Sequence, residues 1–396
     1  MSFLLSRQSL VGSKEPQVLR ALTLRAMASH DRDAHLEVIR EVEADTVAAW
    51  LEFAERNRVS SIVALALLHA HDGDPPHRQR CRALYDRQDH RMRVLLEQLD
   101  ACAARLAREG IAMVALKNAG IARGIYPWPG ACPMGDLDVL VDRARFREAH
   151  RLIEECGFGL DSRAPDVEPA DLEHGLMGGG TEYRKVCGSE EVWFELQWRP
   201  VAGRWIRKDQ EPDGATLVAR SVPIDGTEVR LLNPVDSMIQ VGLHTAKHTY
   251  VRAPGLRLHT DVDRLAHYQV PDWQAVVEMA QGLTITTAVY FSFAMARALL
   301  GTPVPDEVLR ALAPAPWKRE LMTRILHRVD VFEPDGRKFN RPSMMAVTAL
   351  MYDDTVGLAA SVLDTSPDKL GWKHMPTNLR QGVRRVYDVA TRYQRR

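Results

Sequence analysis

The sequence has no excess of charge of either sign and no long apolar run. Its 396 residues include 52 basic and 52 acidic side chains, which cancel at pH 7. This balance excludes a global field that would draw the chain to nucleic acid or to an anionic membrane. No stretch approaches the roughly 18 apolar residues of a membrane span, and Met1–Arg7 is too short for a secretory signal. We therefore expect a cytoplasmic protein with no membrane partner.

Cysteine is scarce, with five residues that lie far apart and show no paired spacing. This argues against a zinc ribbon and against a disulfide framework, so we expect reduced thiols. The 45% hydrophobic and 26% charged residues are ordinary for a globular protein. The length favours two or three domains.

The hydrophobic pattern changes twice along the chain. Residues 15–108 have helical periodicity, and short apolar runs typical of strands begin after Gly110. A new helix is predicted after Asn233, an N-cap residue followed by proline. We expect an α+β fold in three parts: an N-terminal helical region (1–108), a small mixed-sheet core (109–232) and a C-terminal helical region (233–396) that closes over a cleft.

The stretch Pro133–Asp142 alternates between apolar and acidic residues. In a strand, Leu137 and Val139 would be buried on one face, and Asp136 and Asp138 would lie on the other. Two acids at this spacing repel each other, and a bound divalent cation relieves that repulsion. The alternative is a solvated edge strand whose charges block pairing with other chains.

A second predicted strand, Val192–Trp198, adds another acid. Its alternation sets Phe194 and Leu196 on one face, and Glu195 and Gln197 on the other. Two-metal nucleotidyl transfer requires such a set of carboxylates, because one cation holds the departing pyrophosphate and the other activates the attacking hydroxyl. We expect two Mg²⁺ ions, or Mn²⁺ in their place, with three ligands: Asp136, Asp138 and Glu195. We also expect these acids to be exposed, so that replacing Asp136 or Asp138 by Asn abolishes turnover at little loss of stability.

Four segments together resemble a known family, the bacterial nucleotidyltransferase family proteins of the DNA polymerase β nucleotidyltransferase superfamily. A weaker similarity extends into the flanking helices. The segments that carry the main resemblance are Leu116–Lys117, Ile125–Pro127, Met134–Val141 and Glu195–Trp198.

The resemblance implies an Mg-dependent enzyme that moves a nucleoside monophosphate from a nucleoside triphosphate to an acceptor hydroxyl or phosphate. The acceptor is open, and a small molecule, a peptide or a sugar is favoured over nucleic acid. Catalysis and metal binding would fall to the three acids. Nucleotide binding is assigned to Lys117, Asn118 and Gly135, and lining of the cleft to Gln197, His244, Lys247 and His248.

The chain departs from the family pattern at four places. Asn118 replaces the glycine that usually follows the lysine, and Cys132 replaces a common arginine. Gln197 replaces a histidine, and His259–Asp261 replaces an aromatic residue before an aspartate. The alternative is therefore a non-catalytic nucleotide- or substrate-binding protein that retains the fold. Retention of all three acids favours the enzyme.

Other motifs have competing interpretations. His244 and His248, spaced i and i+4, would bind zinc if His259 or Asp263 completed the set, although a surface pair is favoured. The triplet Gly178–Gly180 lacks the lysine of a phosphate loop, which favours a flexible surface loop.

Two weaker signals lie near loops and at the end of the chain. His69 and His71 flank a turn-rich segment and are expected to be solvated. The arginine-rich segment 380–396 is either a solvated helix or a site that binds RNA.

Overall fold

The structure is a computed structural model. It describes residues 15–29, 33–43, 45–70, 77–163, 165, 170–201, 210–329, 331–332, 339–354 and 358. Within these residues the order of elements is five helices, a seven-stranded sheet interspersed with short helices, and then further helices. This is the α+β class that the sequence predicts.

The described residues before the sheet are mostly helical, as predicted. Of the five helices, the 30-residue α5 buries Met92, Leu95 and Leu99 along one side. This spacing produces the apolar face that packs on the rest of the protein. The helices are α1 (Glu15–Ala28), α2 (Leu36–Arg40), α3 (Val47–Arg56), α4 (Ser60–Ala70) and α5 (Arg78–Ala107).

The sheet is mixed, with the strand order β3-β4-β5-β2-β1-β7-β6. The strand with the paired acids, β2, lies at its centre, parallel to β5 and antiparallel to β1. The alternative of a solvated edge strand is therefore wrong. The strands are β1 (Met113–Ala115), β2 (Asp136–Leu140), β3 (Gly159–Leu160), β4 (Gly180–Cys187), β5 (Glu190–Gln197), β6 (Val222–Pro223) and β7 (Val229–Leu231).

One face of the sheet is covered by helices. Leu137, Val139 and Phe194 are fully buried in the main core cluster, where they join side chains of α5 and α7 (Phe146–Glu155). On the opposite face, α9 (Gly214–Ala219) covers a smaller cluster that includes Leu140. This smaller cluster fills only the Leu140 end of the face that carries the acids.

The prediction of a flexible loop around Gly178–Gly180 is wrong. Gly178 ends α8 (Leu172–Gly178), Gly179 has a φ of +125°, and Gly180 begins β4. β4 pairs with β5 along its whole length, and Gly188 at a φ of +61° lies in the turn between them. A left-handed glycine followed by serine is a common hairpin turn.

The helices after the sheet begin as predicted. The Asn233 side chain accepts from the backbone N–H groups of Val235 and Asp236, which caps the first of these helices. None of the helices in the described part of the chain has the length and apolar character needed to cross a membrane. The helices are α6 (Lys117–Gly124) within the sheet region and then α10 (Pro234–Lys247), α11 (Arg257–Tyr268), α12 (Trp273–Gly282), α13 (Thr286–Leu300), α14 (Asp306–Leu312), α15 (Pro316–His327) and α16 (Arg341–Leu350).

Candidate active site

Strand register brings the three predicted acids together. In the parallel pairing of β2 with β5, Asp138 lies opposite Glu195, and Asp136 is two residues earlier on the same face. Carboxylate oxygens from the three side chains all lie within 4.8 Å of one another. The convergence that the sequence predicts is therefore present.

Lys117 lies at the same site. It is the first residue of α6, separated from the end of β1 by one residue, and its Nζ is 2.6 Å from Oδ1 of Asp138. Its φ is +48°, a left-handed conformation that costs a non-glycine residue about 1 kcal/mol or more. The Lys117 N–H donates to Oε1 of Gln240 at 3.2 Å, which helps to hold this conformation.

Burial and neighbouring charges act on both members of this pair. Burial raises the pKa of Asp138, and the Glu195 charge raises it further, against the lowering by Lys117. Burial alone would lower the pKa of Lys117, but the charges of Asp138, Glu195 and Asp136 outweigh it and raise that pKa. One lysine thus faces three carboxylates, and negative charge remains in excess.

Of the acids expected to be exposed, Asp136 is only partly exposed, and the expectation is wrong for the buried Asp138. Its side chain is only 7% exposed, whereas that of Asp136 is 24% exposed. Asp138 also accepts a hydrogen bond of 2.8 Å from Nε2 of Gln197, a buried side chain on β5. Because Asp138 is buried and paired with Lys117, removing its charge would leave the Lys117 charge without this partner and would destabilise the fold.

Arg163, which was not predicted from the sequence, contacts the acids at the edge of the site. Arg163 follows β3, and its Nη2 donates to Oδ2 of Asp136 at 2.7 Å and to Oε1 of Glu182 at 2.5 Å. Glu182 on β4 lies opposite Glu195 on β5. Neither Arg163 nor Glu182 was predicted as a site residue, because the segment around them is polar and resembles a loop. The only signal was the alternation of Thr181 and Tyr183 with charged neighbours in 180–187.

Two predicted nucleotide-binding residues have different surroundings. The buried Asn118 donates through Nδ2 to Oδ2 of Asp261 on α11 at 3.3 Å, whereas its buried Oδ1 accepts no hydrogen bond from the described residues. Gly135 is exposed, and a Cβ placed on it would meet no atom within 4 Å. Packing within the protein therefore does not require glycine at position 135. The nucleotide-binding roles of both residues stay predictions.

His244 on α10 and His248, the residue after α10, form a neutral pair of imidazoles near Lys117. His244 is buried, so the expectation of a surface pair is wrong for this residue. The ring centroids of His244 and His248 are 4.9 Å apart, and the ring planes meet at 79°. Burial lowers the pKa of both, and the positive charges of Lys117 and Lys247 lower it further. The pKa of His248 falls to about 3. At neutral pH the two histidines therefore offer hydrogen bonds rather than positive charge.

The zinc alternative finds no ligand set in the described part of the chain. Nε2 of His259 donates to the carbonyl oxygen of Tyr250 at 2.9 Å, and Asp263 accepts from Oγ1 of Thr302 at 2.7 Å. Among the described residues, the three acids are the one group of three or more His, Cys, Asp or Glu whose ligand atoms converge.

The remaining predictions concern other parts of the chain. The ring of His69 contacts Trp128 edge-on at 6.4 Å, whereas His71 lies outside the described residues. The arginine-rich segment 380–396 also lies outside them. All five cysteines are free thiols.

The chemistry of the acid site fits a divalent cation. Mg²⁺ takes oxygen ligands at about 2.0–2.1 Å, so two ligands on opposite sides of one ion are about 4.2 Å apart. The 4.8 Å spread of the carboxylate oxygens exceeds this by only a fraction of an ångström. Small side-chain rotations would allow Asp136, Asp138 and Glu195 to share one ion or to bridge two.

Comparison with known proteins gives the chain a family. Residues 43–301 match the model of a family described as uncharacterised nucleotidyltransferase. This range is more than half of the chain and contains all three acids, Lys117 and α10. No curated protein and no solved structure matches the chain significantly. The chain belongs to the family of uncharacterised nucleotidyltransferases, and it is therefore an enzyme of the transferase class.

Proposed function

We propose that this enzyme transfers a nucleoside monophosphate from a nucleoside triphosphate to an acceptor hydroxyl or phosphate, with two Mg²⁺ ions as cofactors. We also assign it to the DNA polymerase β nucleotidyltransferase superfamily. The observation that carries the proposal is the convergence of Asp136, Asp138 and Glu195 on the face of β2 and β5 opposite the main core.

The three acids would hold the cations, which when bound offset the charge on the phosphates and lower the pKa of the attacking hydroxyl. Holding two doubly charged ions requires several carboxylates. Four carboxylates, those of the three acids and Glu182, lie near two side-chain cations, Lys117 and Arg163. The excess of negative charge favours the binding of divalent cations at this site.

Lys117 and Gln197 orient Asp138, because both donate to the same oxygen, Oδ1. Their donation leaves Oδ2 of Asp138 as the oxygen with the greater freedom to bind a cation. Lys117 also lies at the start of a helix, where backbone N–H groups point outward from the first turn. We assign it to the triphosphate, beside Gly135.

The acceptor is a small molecule, a peptide or a sugar rather than nucleic acid. This assignment is supported by the charge balance of the chain, since 52 basic and 52 acidic residues provide no general attraction for a polyanion. The same balance and the free cysteines fit a cytoplasmic location.

The test is incubation of the protein with each labelled nucleoside triphosphate and Mg²⁺ or Mn²⁺, with and without a small-molecule cell extract as the source of acceptors. We expect release of pyrophosphate together with a labelled product or self-labelling. Asp138→Asn is the control, and it should abolish the reaction. Wild-type rates in this variant would end the proposal.

The non-catalytic alternative predicts a different pattern. If the fold served only to bind, no triphosphate would yield pyrophosphate with any acceptor fraction. Calorimetry would then distinguish a protein that binds Mg-nucleotide without turnover from one that binds none. Nucleotide binding together with pyrophosphate release excludes this alternative.

A further inference from the structure

Arg163 is anchored to the rim of the acid site at several points. Its backbone N–H donates to Oε2 of Glu182 at 2.9 Å, and its Nε donates to Oε1 at 2.9 Å. The guanidinium carbon also lies 5.4 Å from the ring centroid of Trp193. These contacts hold the backbone and Nε of Arg163 at the rim, and the terminal nitrogen Nη2, the outer arm of the guanidinium, reaches inward.

The outer arm contacts a proposed metal ligand. Nη2 of Arg163 donates to Oδ2 of Asp136 at 2.7 Å while it also contacts Glu182 at 2.5 Å. The guanidinium therefore supplies positive charge where a cation held by Asp136 would supply it. While Arg163 donates to it, Oδ2 has one lone pair fewer for a metal ion, and the positive charge of Arg163 opposes binding of a cation there.

We propose that Arg163 is a triphosphate-binding residue, which neutralises Asp136 in the nucleotide-free enzyme and passes to the phosphates when nucleotide and divalent cations enter. The inference rests on the proposed function, because it takes Asp136 as a metal ligand. In this proposal, Arg163 couples the binding of metal ions to the binding of the nucleotide.

Three features favour phosphate as the second partner of Arg163. A guanidinium matches phosphate oxygens in shape and charge. Residues 127–136, which lead into the paired acids, contain no arginine that could take this role. Adjacent oxygen ligands on one Mg²⁺ lie about 3 Å apart. A phosphate oxygen on an ion held by Asp136 would therefore lie within reach of Nη2 of Arg163.

The first arm of the experiment measures Mn²⁺ binding without nucleotide, by electron paramagnetic resonance. Arg163→Gln should bind Mn²⁺ about tenfold more tightly than wild type, since a competing charge-assisted hydrogen bond is lost. Arg147→Gln is the matched control, because Arg147 makes two hydrogen bonds to Glu173 outside the acid site. The control should bind Mn²⁺ as wild type does.

The second arm measures the affinity for a non-hydrolysable nucleoside triphosphate at saturating Mn²⁺. Here Arg163→Gln should bind the nucleotide at least about tenfold more weakly than wild type does. This change is opposite in direction to the expected change in Mn²⁺ affinity without nucleotide. A purely structural role would weaken both affinities or change neither, and either result overturns the inference.

A third variant separates this inference from the proposed function. Asp136→Asn should lose Mn²⁺ binding if Asp136 is a metal ligand. If it does so while Arg163→Gln behaves as wild type, the inference about Arg163 fails and the metal site stands. If Asp136→Asn binds Mn²⁺ normally, the proposed function fails, and the inference that rests on it fails too.

Discussion

Nζ of Lys117 and Oδ1 of Asp138 form an ion pair of 2.6 Å, with side chains that are only 12% and 7% exposed. Breaking a buried pair by removing one partner leaves an uncompensated charge, at a cost of about 3–5 kcal/mol. Lys117→Met should therefore lower the free energy of unfolding by about 3 kcal/mol at neutral pH, as measured by urea denaturation.

The control for this effect is a double-mutant cycle. Lys117→Met combined with Asp138→Asn should be more stable than Lys117→Met alone, because the neutral amide no longer needs a cation. Strict additivity of the two single changes would show that the pair does not couple.

The buried histidines predict a loss of stability in acid. The pKa of His248 is lowered to about 3 and that of His259 to about 4, both mainly by burial. Below pH 6.5 the unfolded state takes up protons that the folded state refuses, so stability falls as the pH falls. Asp261 acts in the opposite direction, because burial raises its pKa to about 6 and its protonation favours the folded state below that pH.

His248→Gln isolates one histidine from these opposing groups. Between pH 7.5 and pH 5.0, wild type should lose about 2 kcal/mol more of its free energy of unfolding than the variant does, at about 1.4 kcal/mol per pH unit below 6.5. Urea denaturation at the two pH values measures this. Equal losses would mean that His248 titrates normally in the folded protein.

Replacing Gly135 tests whether the nucleotide lies against the backbone at this position. Since a Cβ at this position meets nothing within 4 Å, Gly135→Ala should fold with unchanged thermal stability. If the triphosphate lies against this backbone, the variant should bind Mg-nucleotide about tenfold more weakly, or about 1.4 kcal/mol. Gly282→Ala is the matched control, since a Cβ there also meets no atom. Unchanged affinity in Gly135→Ala would separate position 135 from the nucleotide.

Cys156 should be a reactive thiol. A hydrogen bond from Cys102 lowers the pKa of Cys156 below its ordinary value of 9.0, and the charges of Lys185 and Arg105 lower it further. The rate of alkylation by iodoacetamide, followed by peptide mass spectrometry, should therefore rise at a lower pH than for an ordinary cysteine. Cys102→Ala should move this rise to higher pH. An unchanged profile would contradict the hydrogen bond.

The parts of the fold with a clear period were predictable from sequence. Leu137 and Val139 alternate with two acids, and this pattern alone predicted which face of β2 carries the acids. Glu195 followed from the same rule on β5. The central position of β2 was not predictable, because strand order depends on long-range pairing that a local pattern does not contain.

The other contacts of the site were not predictable from the sequence, and the reasons are physical. β4 has the polar composition of a loop, although Gly188–Ser189 is a recognised hairpin turn. Its position next to β5 brings Glu182 to the site, and Arg163 comes with it from the preceding segment. The contact of Asn118 with Asp261 joins residues 143 positions apart, and no spacing in the sequence indicates it.

Binding of Mn²⁺ in the presence of a non-hydrolysable nucleoside triphosphate tests the central claim most directly. Electron paramagnetic resonance should detect tightly bound Mn²⁺ with the wild type for at least one of the ribo- or deoxyribonucleotides. Binding should weaken by at least about a hundredfold in Asp136→Asn, Asp138→Asn and Glu195→Gln, since each removes a charged ligand. Equal binding of Mn²⁺ by folded wild type and all three folded variants would contradict the account.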